Sequence, residues 1–251
     1  MFSMRESPPS NVADQMTYRR RRYRREGNPL DALEAIRKRR SVRQYTDQPV
    51  ADEDVDRLLR LALLAPTGGM AQAWSFLVVR DADVRLKVAN LVLAGGGQYF
   101  YMMRPRAEGA TDAEHLEWAN GYAEQALGSY RDVPVWIVGL IVPRNTFPAE
   151  NRGEERVADL VSMGFAMENL YVAARSLGLG TVPTVFHWFV EDKFRELLSI
   201  PAELEIPLIT PVGYPKAFPE GLPPALAAIR RPWKTLVHDD RWGNPREAAT
   251  R

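Results

Sequence analysis

The sequence predicts an α+β protein of three layers, α/β/α, in which helices cover both faces of a mixed sheet. Three observations carry this. Helical periodicities outnumber strand-like runs, the crossovers between strands are long, and VPVWIVGLIVP is apolar without alternation, as a strand covered on both faces must be. A chain of 251 residues fits one large domain. At that size it can bury roughly three quarters of the surface that its unfolded chain exposes.

Residues 1–28 are polar, Arg-rich and without apolar periodicity, and are expected to be a mobile extension to a single domain over 29–251. PLDALEAIRKRR places Leu30, Leu33 and Ile36 on one helical stripe beginning near Pro29 to Asp31. ADEDVDRLLRLALLAP predicts a second helix, with Asp52 as N-cap, a stripe of Val55, Leu58, Leu59 and Ala62, and a stop at Pro66. SFLVVRD is a strand. DADVRLKVANLVLA is a helix expected to end at Gly95-Gly96-Gly97.

DAEHLEWANGYAEQAL is weakly amphipathic but helical in pattern, and VPVWIVGLIVP is the buried central strand. GEERVADLVSMGFAMENLYVAARSLGLG is the longest helix, with Val157, Leu160, Val161, Gly164, Met167, Leu170, Tyr171, Ala174 and Leu177 as its stripe and Gly178 and Gly180 as caps. Met163, Phe165 and Val172 widen that stripe nearly all round, which suits a subunit interface. GTVPT gives a short strand and turn, VEDKFRELLSIP a short helix and EIPLITPVGYP another apolar strand. From Lys216 on, five prolines and few apolar stripes predict an extended tail that wraps over a neighbour.

Composition excludes several chemistries. No cysteine means no disulfide, thiolate metal site or cysteine nucleophile. The three histidines, His115, His187 and His238, are dispersed and no HExxH is present, so no metal is expected. GxGxxG, P-loop and GxSxG patterns are absent. No apolar run reaches a membrane span, and MFSMRESPPSNVADQM has no apolar signal core, so the expected compartment is the cytoplasm. Net charge is +1, but RRRRYRR at 19–25 holds six arginines, leaving −5 for the rest. A nucleic-acid binder carries its positive charge on the folded face, so nucleic acid is not the expected partner. Polyanion binding through the arm ranks last.

IRKRRSVRQY concentrates five cations in ten positions. Arg37 and Lys38 suit a helix C-terminus. Beyond them, an extended chain would point Arg39, Ser41 and Arg43 to one side, and two guanidinium forks flanking a hydroxyl suit a phosphate-bearing ligand.

RRSVR after a short helix resembles the flavin-binding opening of the nitroreductase family. APTGGMAQAWSFLVV, PVWIVG, SLGLGTVPT, and PLITPVGYP with IRRP resemble its later segments in order, and LVHDDRWG resembles the tail of an actinobacterial-type branch, so that the likeness covers roughly residues 30–244. The resemblance implies a largely antiparallel sheet, an interwoven homodimer, and FMN reduced by NADH or NADPH and reoxidised in the same site by a small electron-poor acceptor, a nitroaromatic or quinone, in ping-pong fashion. It implies that Arg39, Arg40 and Ser41 meet the flavin phosphate and ribityl chain, and that Arg43 meets the pyrimidine end. Pro66, Thr67, Gly68 and Gln72 would line the ring or the partner's site; Pro183 and Thr184 would offer backbone N–H groups to the flavin N5; Gly213 would admit the backbone closely; Arg230 would reach the phosphate. The hydride chemistry belongs to the flavin, and no general acid is named.

The family's Asn is Met70 here and its Pro is Ala73, which removes a polar contact near the ring. Segment 98–132 is expected to cover the pocket, with Trp118 and His187 as substrate contacts. Within the fold, reductive dehalogenation, flavin fragmentation, peptide-ring oxidation, and flavin storage without turnover are the alternatives.

Overall fold

In a computed structural model of the chain, describing residues 30–222 and 224–248, four strands form one antiparallel sheet in the order β1-β2-β4-β3. They are β1 (Trp74–Val79), β2 (Val135–Ile141), β3 (Gly180–Thr181) and β4 (Glu205–Gly213). Among the described residues the parallel component of the mixed sheet is one isolated bridge, Ser41 to Thr181. The Arg-rich extension expected over 1–28 lies outside the described residues.

The central position of β2 accounts for its unbroken apolar run, because both of its faces are covered. Val135, Ile137 and Ile141 enter a core shared with α2 (Asp52–Ala62) and α5 (Arg152–Ser176), while Trp136 is buried on the other face and meets Tyr130 edge-on at 5.5 Å. Gly139 keeps β2 close to α5, since a Cβ there would lie 3.1 Å from the Met163 sulfur.

α1 (Ala32–Lys38) starts at Asp31, whose carboxylate accepts from the Glu34 N–H, and it packs on α5. Its expected stripe does not face inward: Ala35 is buried, and Leu33 and Ile36 are exposed. A seven-residue helix can bury only a narrow edge, and here the smallest apolar residue takes it. α2 is capped by Ala51 rather than by Asp52, which occupies the first helical position, and it ends at Ala62 rather than at Pro66. Strand β1 begins one residue early, at Trp74.

The larger correction is α3 (Ala82–Met103), which runs straight through the three glycines instead of stopping there. All three are buried. A Cβ on Gly95 would collide with the Phe186 carbonyl oxygen, and one on Gly97 with the Asn120 side chain. The glycines mark the surface where α3 is pressed against the 186–190 turn and α4 (Asp112–Leu127), a tertiary demand that overrides their poor helix propensity. α4 opens with a reciprocal capping box between Thr111 and Glu114.

α5 also departs from expectation. Met163, Ala166, Met167, Leu170, Tyr171 and Ala174 face inward, but Val157, Val161 and Phe165 are exposed. The first turns turn acids inward instead. Asp159 takes a bidentate pair from Arg144, at 2.8 and 3.2 Å. Glu155 accepts from the Thr146 and Phe147 N–H groups and the Thr146 hydroxyl. These bonds fasten the 142–151 connection to the helix. α5 ends in a Schellman arrangement, with Gly178 at φ +77°, Leu179 N–H donating to Ala174 O and Gly178 N–H to Arg175 O. Gly180 is no cap but part of β3. α6 (Glu191–Leu198) follows the 186–190 turn and ends at Ser199 in the left-handed region.

By its own contacts the chain divides into two compact units, residues 1–216 and 217–251. The second is not the plain extended tail expected: it contains a short α7 (Pro224–Ala228), a turn at Trp233–Thr235 and a hydrogen-bonded loop in which Arg246 N–H donates to Val237 O and Asp239 N–H to Asn244 O.

Gly95→Ala is expected to lower stability by about 1–3 kcal/mol by overpacking, against a propensity gain of about 1 kcal/mol; chemical denaturation reads the sign, and a stabilised variant would refute the close approach. The Thr146 and Phe147 donors and Arg144 hold the Glu155 carboxyl below its ordinary 4.5. A carboxyl lowered in the folded state stabilises above its unfolded value, and that contribution is lost as pH falls through the folded value. Glu155→Gln should therefore unfold at lower denaturant than the parent above pH 5, with the gap closing as the solution is acidified below about pH 4.

Candidate functional site

Residues 39–46 leave α1 and are sewn onto the sheet at two points. Val42 N–H donates to Thr181 O on β3 at 3.1 Å, and Thr46 N–H donates to Tyr214 O just past β4 at 2.9 Å. Val42 is buried against Gly180, where a Cβ would stand 2.8 Å from Val42 Cβ. Tyr45 is fully buried; its hydroxyl donates to Val42 O, and its N–H is held by Ser129 Oγ at 2.6 Å. With Val42 turned inward, Ser41 and Arg43 are left on the outer side, as alternation requires. The alternation stops there, since Gln44 is exposed and Tyr45 buried.

The cations along this segment do different things. Arg40 folds back and donates to the carbonyls of Arg37 and Arg39 at 2.8 and 2.7 Å, which finishes the C-terminus of α1. Arg39 pairs with Glu168 of α5 at 3.1 Å and is partly covered. Arg43 is exposed and, among the described residues, forms no hydrogen bond or ion pair. It is close enough to the Tyr45 and Tyr130 phenols to oppose their upward shifts. Burial is the chief cause of both shifts, and for Tyr45 the neighbouring Tyr130 adds to it.

The loop carrying Pro66, Thr67, Gly68 and Gln72 is exposed apart from the half-buried Thr67 and Ala71. It holds three left-handed residues, Gly69 at φ +57°, Met70 at +56° and Gln72 at +48°, and Met70 is 76% exposed. Pro183 is exposed and Thr184 buried. The expectation that these two supply backbone donors fails: proline has no N–H, and the Thr184 N–H donates to Ile209 O at 3.0 Å. What Thr184 does offer is a buried Oγ1 without a partner among the described residues. Gly213 is needed for a close approach, but to Pro134 and the Tyr45 ring, at 2.8 and 3.2 Å from a would-be Cβ. In the second unit Arg230 is exposed just after α7, and its N–H donates to Ala227 O.

His187 is a core residue and not a substrate contact. It is wholly buried, Nε2 bonds the Ile206 carbonyl at 2.9 Å and the ring lies 5.4 Å from Phe194. Burial holds its pKa below the ordinary value, opposed by the Ile206 bond. The sequence gives no warning, because the next residue, Trp188, is half exposed and donates to the same carbonyl.

Trp118 is partly exposed on α4, stacked between His115 and Tyr122 at 5.6 Å from each. The Arg104 guanidinium, which sequence reasoning passed over, lies 5.7 Å from the Trp118 ring centre and 5.4 Å from that of Tyr122. The rings continue through Phe100, 4.8 Å from Tyr122, to Phe186, 5.9 Å from Phe100 and two residues beyond Thr184.

As a binding edge, the 39–46 segment fits a flavin phosphate and ring in two respects: a hydroxyl and a cation on one outer side, and that cation's donors uncommitted among the described residues. Three residues past Thr181, which bridges Ser41, Thr184 keeps a buried hydroxyl with no partner among the described residues.

Comparison with known proteins gives the same family. The nitroreductase family model matches residues 36–214. Iodotyrosine deiodinase 1 of Pongo abelii is 30% identical over 184 residues, 72% of this chain, and the chain spans 60% of that relative's length. A putative NADH dehydrogenase/NAD(P)H nitroreductase of Archaeoglobus fulgidus is 29% identical over 74% of this chain and 86% of its own. The solved NADPH:FMN oxidoreductase from Vibrio harveyi complexed with NAD+ superposes with a TM-score of 0.62 over 86% of this chain and 80% of its own, at 20% identity, a likeness of fold.

Truncating His187 is expected to cost about 2–4 kcal/mol, from the cavity and from a carbonyl that loses one of its donors. His187→Ala should shift the denaturation midpoint by that amount; a change in acceptor KM with no loss of stability would return His187 to the substrate site.

Proposed function

We propose that this chain, which belongs to the nitroreductase family, is an FMN-dependent oxidoreductase that takes electrons from NADH or NADPH and delivers them to a small electron-poor acceptor such as a nitroaromatic or quinone. The observation that carries this reading is the outer side of the 39–46 segment: Ser41 and Arg43 stand together on a backbone pinned at Thr181 and Tyr214, and among the described residues Arg43 keeps its donors free. The named activities of the Archaeoglobus and Vibrio relatives support it.

Bound there, FMN supplies the two-electron chemistry that amino-acid side chains lack. Ser41 and Arg39 would hold its phosphate, Arg39 exchanging or sharing its Glu168 partner, with Arg40 setting the end of α1 behind them. Arg43 would sit where negative charge grows on reduction and favour it. The Thr184 hydroxyl would gain the partner it lacks among the described residues. Gln72 and the left-handed loop around it would border the ring.

The protein would act as a homodimer. Leu33 and Ile36 on α1 and Val157, Val161 and Phe165 on the N-terminal half of α5 are exposed, apolar side chains that a second copy would cover. The expected compartment is the cytoplasm; among the described residues no helix is long and apolar enough to cross a membrane.

A second reading is favoured by the deiodinase relative: the same flavin edge would drive reductive loss of halide from a halogenated phenol. Halide release from an iodophenol under anaerobic reduction would select it; reduction of a nitroaromatic without halide release would select the first.

The purified protein should be a yellow dimer, bleached by NADH or NADPH without oxygen and recoloured by the acceptor. Colourless protein that takes up no FMN would overturn the reading. Arg43→Ala should weaken FMN binding about tenfold, the loss of one charged hydrogen bond, and Arg37→Ala by less than twofold, read as Kd by flavin fluorescence. Equal effects would reject the assignment of faces.

A further inference from the structure

Resting on that reading, segment 98–132, expected from the sequence to cover the pocket, names a finer substrate class. Residues 98–132 contain three cations, Arg104, Arg106 and Arg131. Two are committed to acids: Arg106 to Asp112, and Arg131 to Glu124, with a further bond to Asn90. Arg104 forms no ion pair or side-chain hydrogen bond among the described residues. It is held instead by the Trp118 and Tyr122 rings. A guanidinium against a ring face is oriented by the π-system, while its N–H donors lie in its own plane and stay free for a bidentate acceptor.

The rings that hold Arg104 are themselves fixed. His115 is buried, its Nε2 bonds the Tyr101 carbonyl at 3.0 Å, and its plane lies within 7° of that of Trp118. The Tyr122–Phe100–Phe186 contacts join this platform to the turn that carries Thr184, beside the edge where the flavin is proposed to react. An acceptor lying along these rings would have an aromatic body, and its charged end would meet Arg104.

We propose that Arg104, seated on Trp118 and Tyr122, receives the carboxylate of an anionic aromatic acceptor, so that the substrates of this protein are electron-poor aromatic acids rather than their neutral analogues. The bland alternative, a surface cation resting on rings, gives no preference between acid and amide.

The test compares 4-nitrobenzoate with 4-nitrobenzamide on the FMN-loaded dimer, parent and Arg104→Gln. The parent should favour the acid in kcat/KM, and Arg104→Gln should lower the acid-to-amide ratio about tenfold, mostly through KM. Arg104→Lys, which keeps charge but loses the fork, should recover only part of it. Calorimetric binding of the two compounds, measured without turnover, separates this inference from the reading beneath it. Arg104-dependent preference for the acid in binding, with no reduction of either compound, keeps the site and rejects the nitroreductase activity. Turnover of both compounds with an unchanged ratio in Arg104→Gln rejects the site and keeps the activity. Absence of both binding preference and turnover rejects both.

Discussion

The contact between Val42 and Gly180 is the constraint on which the candidate site depends. A side chain at 180 would occupy the space that Val42 fills, 2.8 Å away, and the N–H of Val42 could not reach Thr181 O. With Val42 driven inward, pleating leaves Ser41 and Arg43 no choice of side. Tyr45 repeats the device three residues on: its ring fills the space left by Gly213, and its hydroxyl ties back to Val42 O. Two glycines on paired strands, Gly180 opposite Gly213, thus decide where two functional side chains point.

The same logic explains why α5 looks apolar on every side. Its inward face is shared between a hydrophobic stretch from Met163 to Ala174 and two buried acids, Glu155 and Asp159, whose partners all lie in the connection before the helix. Burying those acids is tolerable because every one is met by charged or backbone donors. Its cost is rotational: once 155 and 159 face in, Val157, Val161 and Phe165 must face out. A protomer that exposes these, and Leu33 and Ile36 on α1, carries apolar side chains for which its own chain provides no cover among the described residues of the first unit.

Most of the fold was legible because it rests on local signals. Continuous apolar runs gave β2 and β4, an apolar stripe gave α2, a helical if weakly amphipathic pattern gave α4, and the order of motifs gave the antiparallel sheet. What sequence could not supply was tertiary. Gly95-Gly96-Gly97 reads as a helix stop until the Phe186 carbonyl is seen against it. His187 and Trp118 read alike as aromatic candidates, yet one is sealed in the core and the other is half open on α4. Within RKRRSVR, only the structure separates Arg40, spent on carbonyls three and one residues back, from Arg43, which forms no hydrogen bond or ion pair among the described residues. Arg104 was invisible because its significance lies in what its neighbours do: Arg106 and Arg131 take the nearby acids, and the rings of another helix take Arg104.

Two borders of the proposed flavin edge are built in opposite ways. At the 184 turn the backbone is strapped in both directions, Thr184 N–H to Ile209 O and Ile209 N–H to Thr184 O, at 3.0 and 3.1 Å. That border is tied down by the chain itself, and among the described residues the Thr184 hydroxyl there lacks a partner. At 67–72 three residues sit in the left-handed region, two of them with side chains, held across the loop by long contacts such as Gln72 N–H to Thr67 Oγ1 at 3.4 Å and Gln72 Nε2 to Met70 O at 3.3 Å. Non-glycine residues there cost of order 1 kcal/mol each or more and persist where surrounding structure over-determines them. The protomer supplies little of that structure, since Met70 and Gln72 are both exposed. A ring lying against the loop, or a second copy closing over it, would supply the rest, and the strain would then be set against binding rather than against folding. On this view Met70, where the family resemblance leads one to expect an amide, need make no polar contact; its side chain has only to cover apolar surface while the backbone keeps its unusual course.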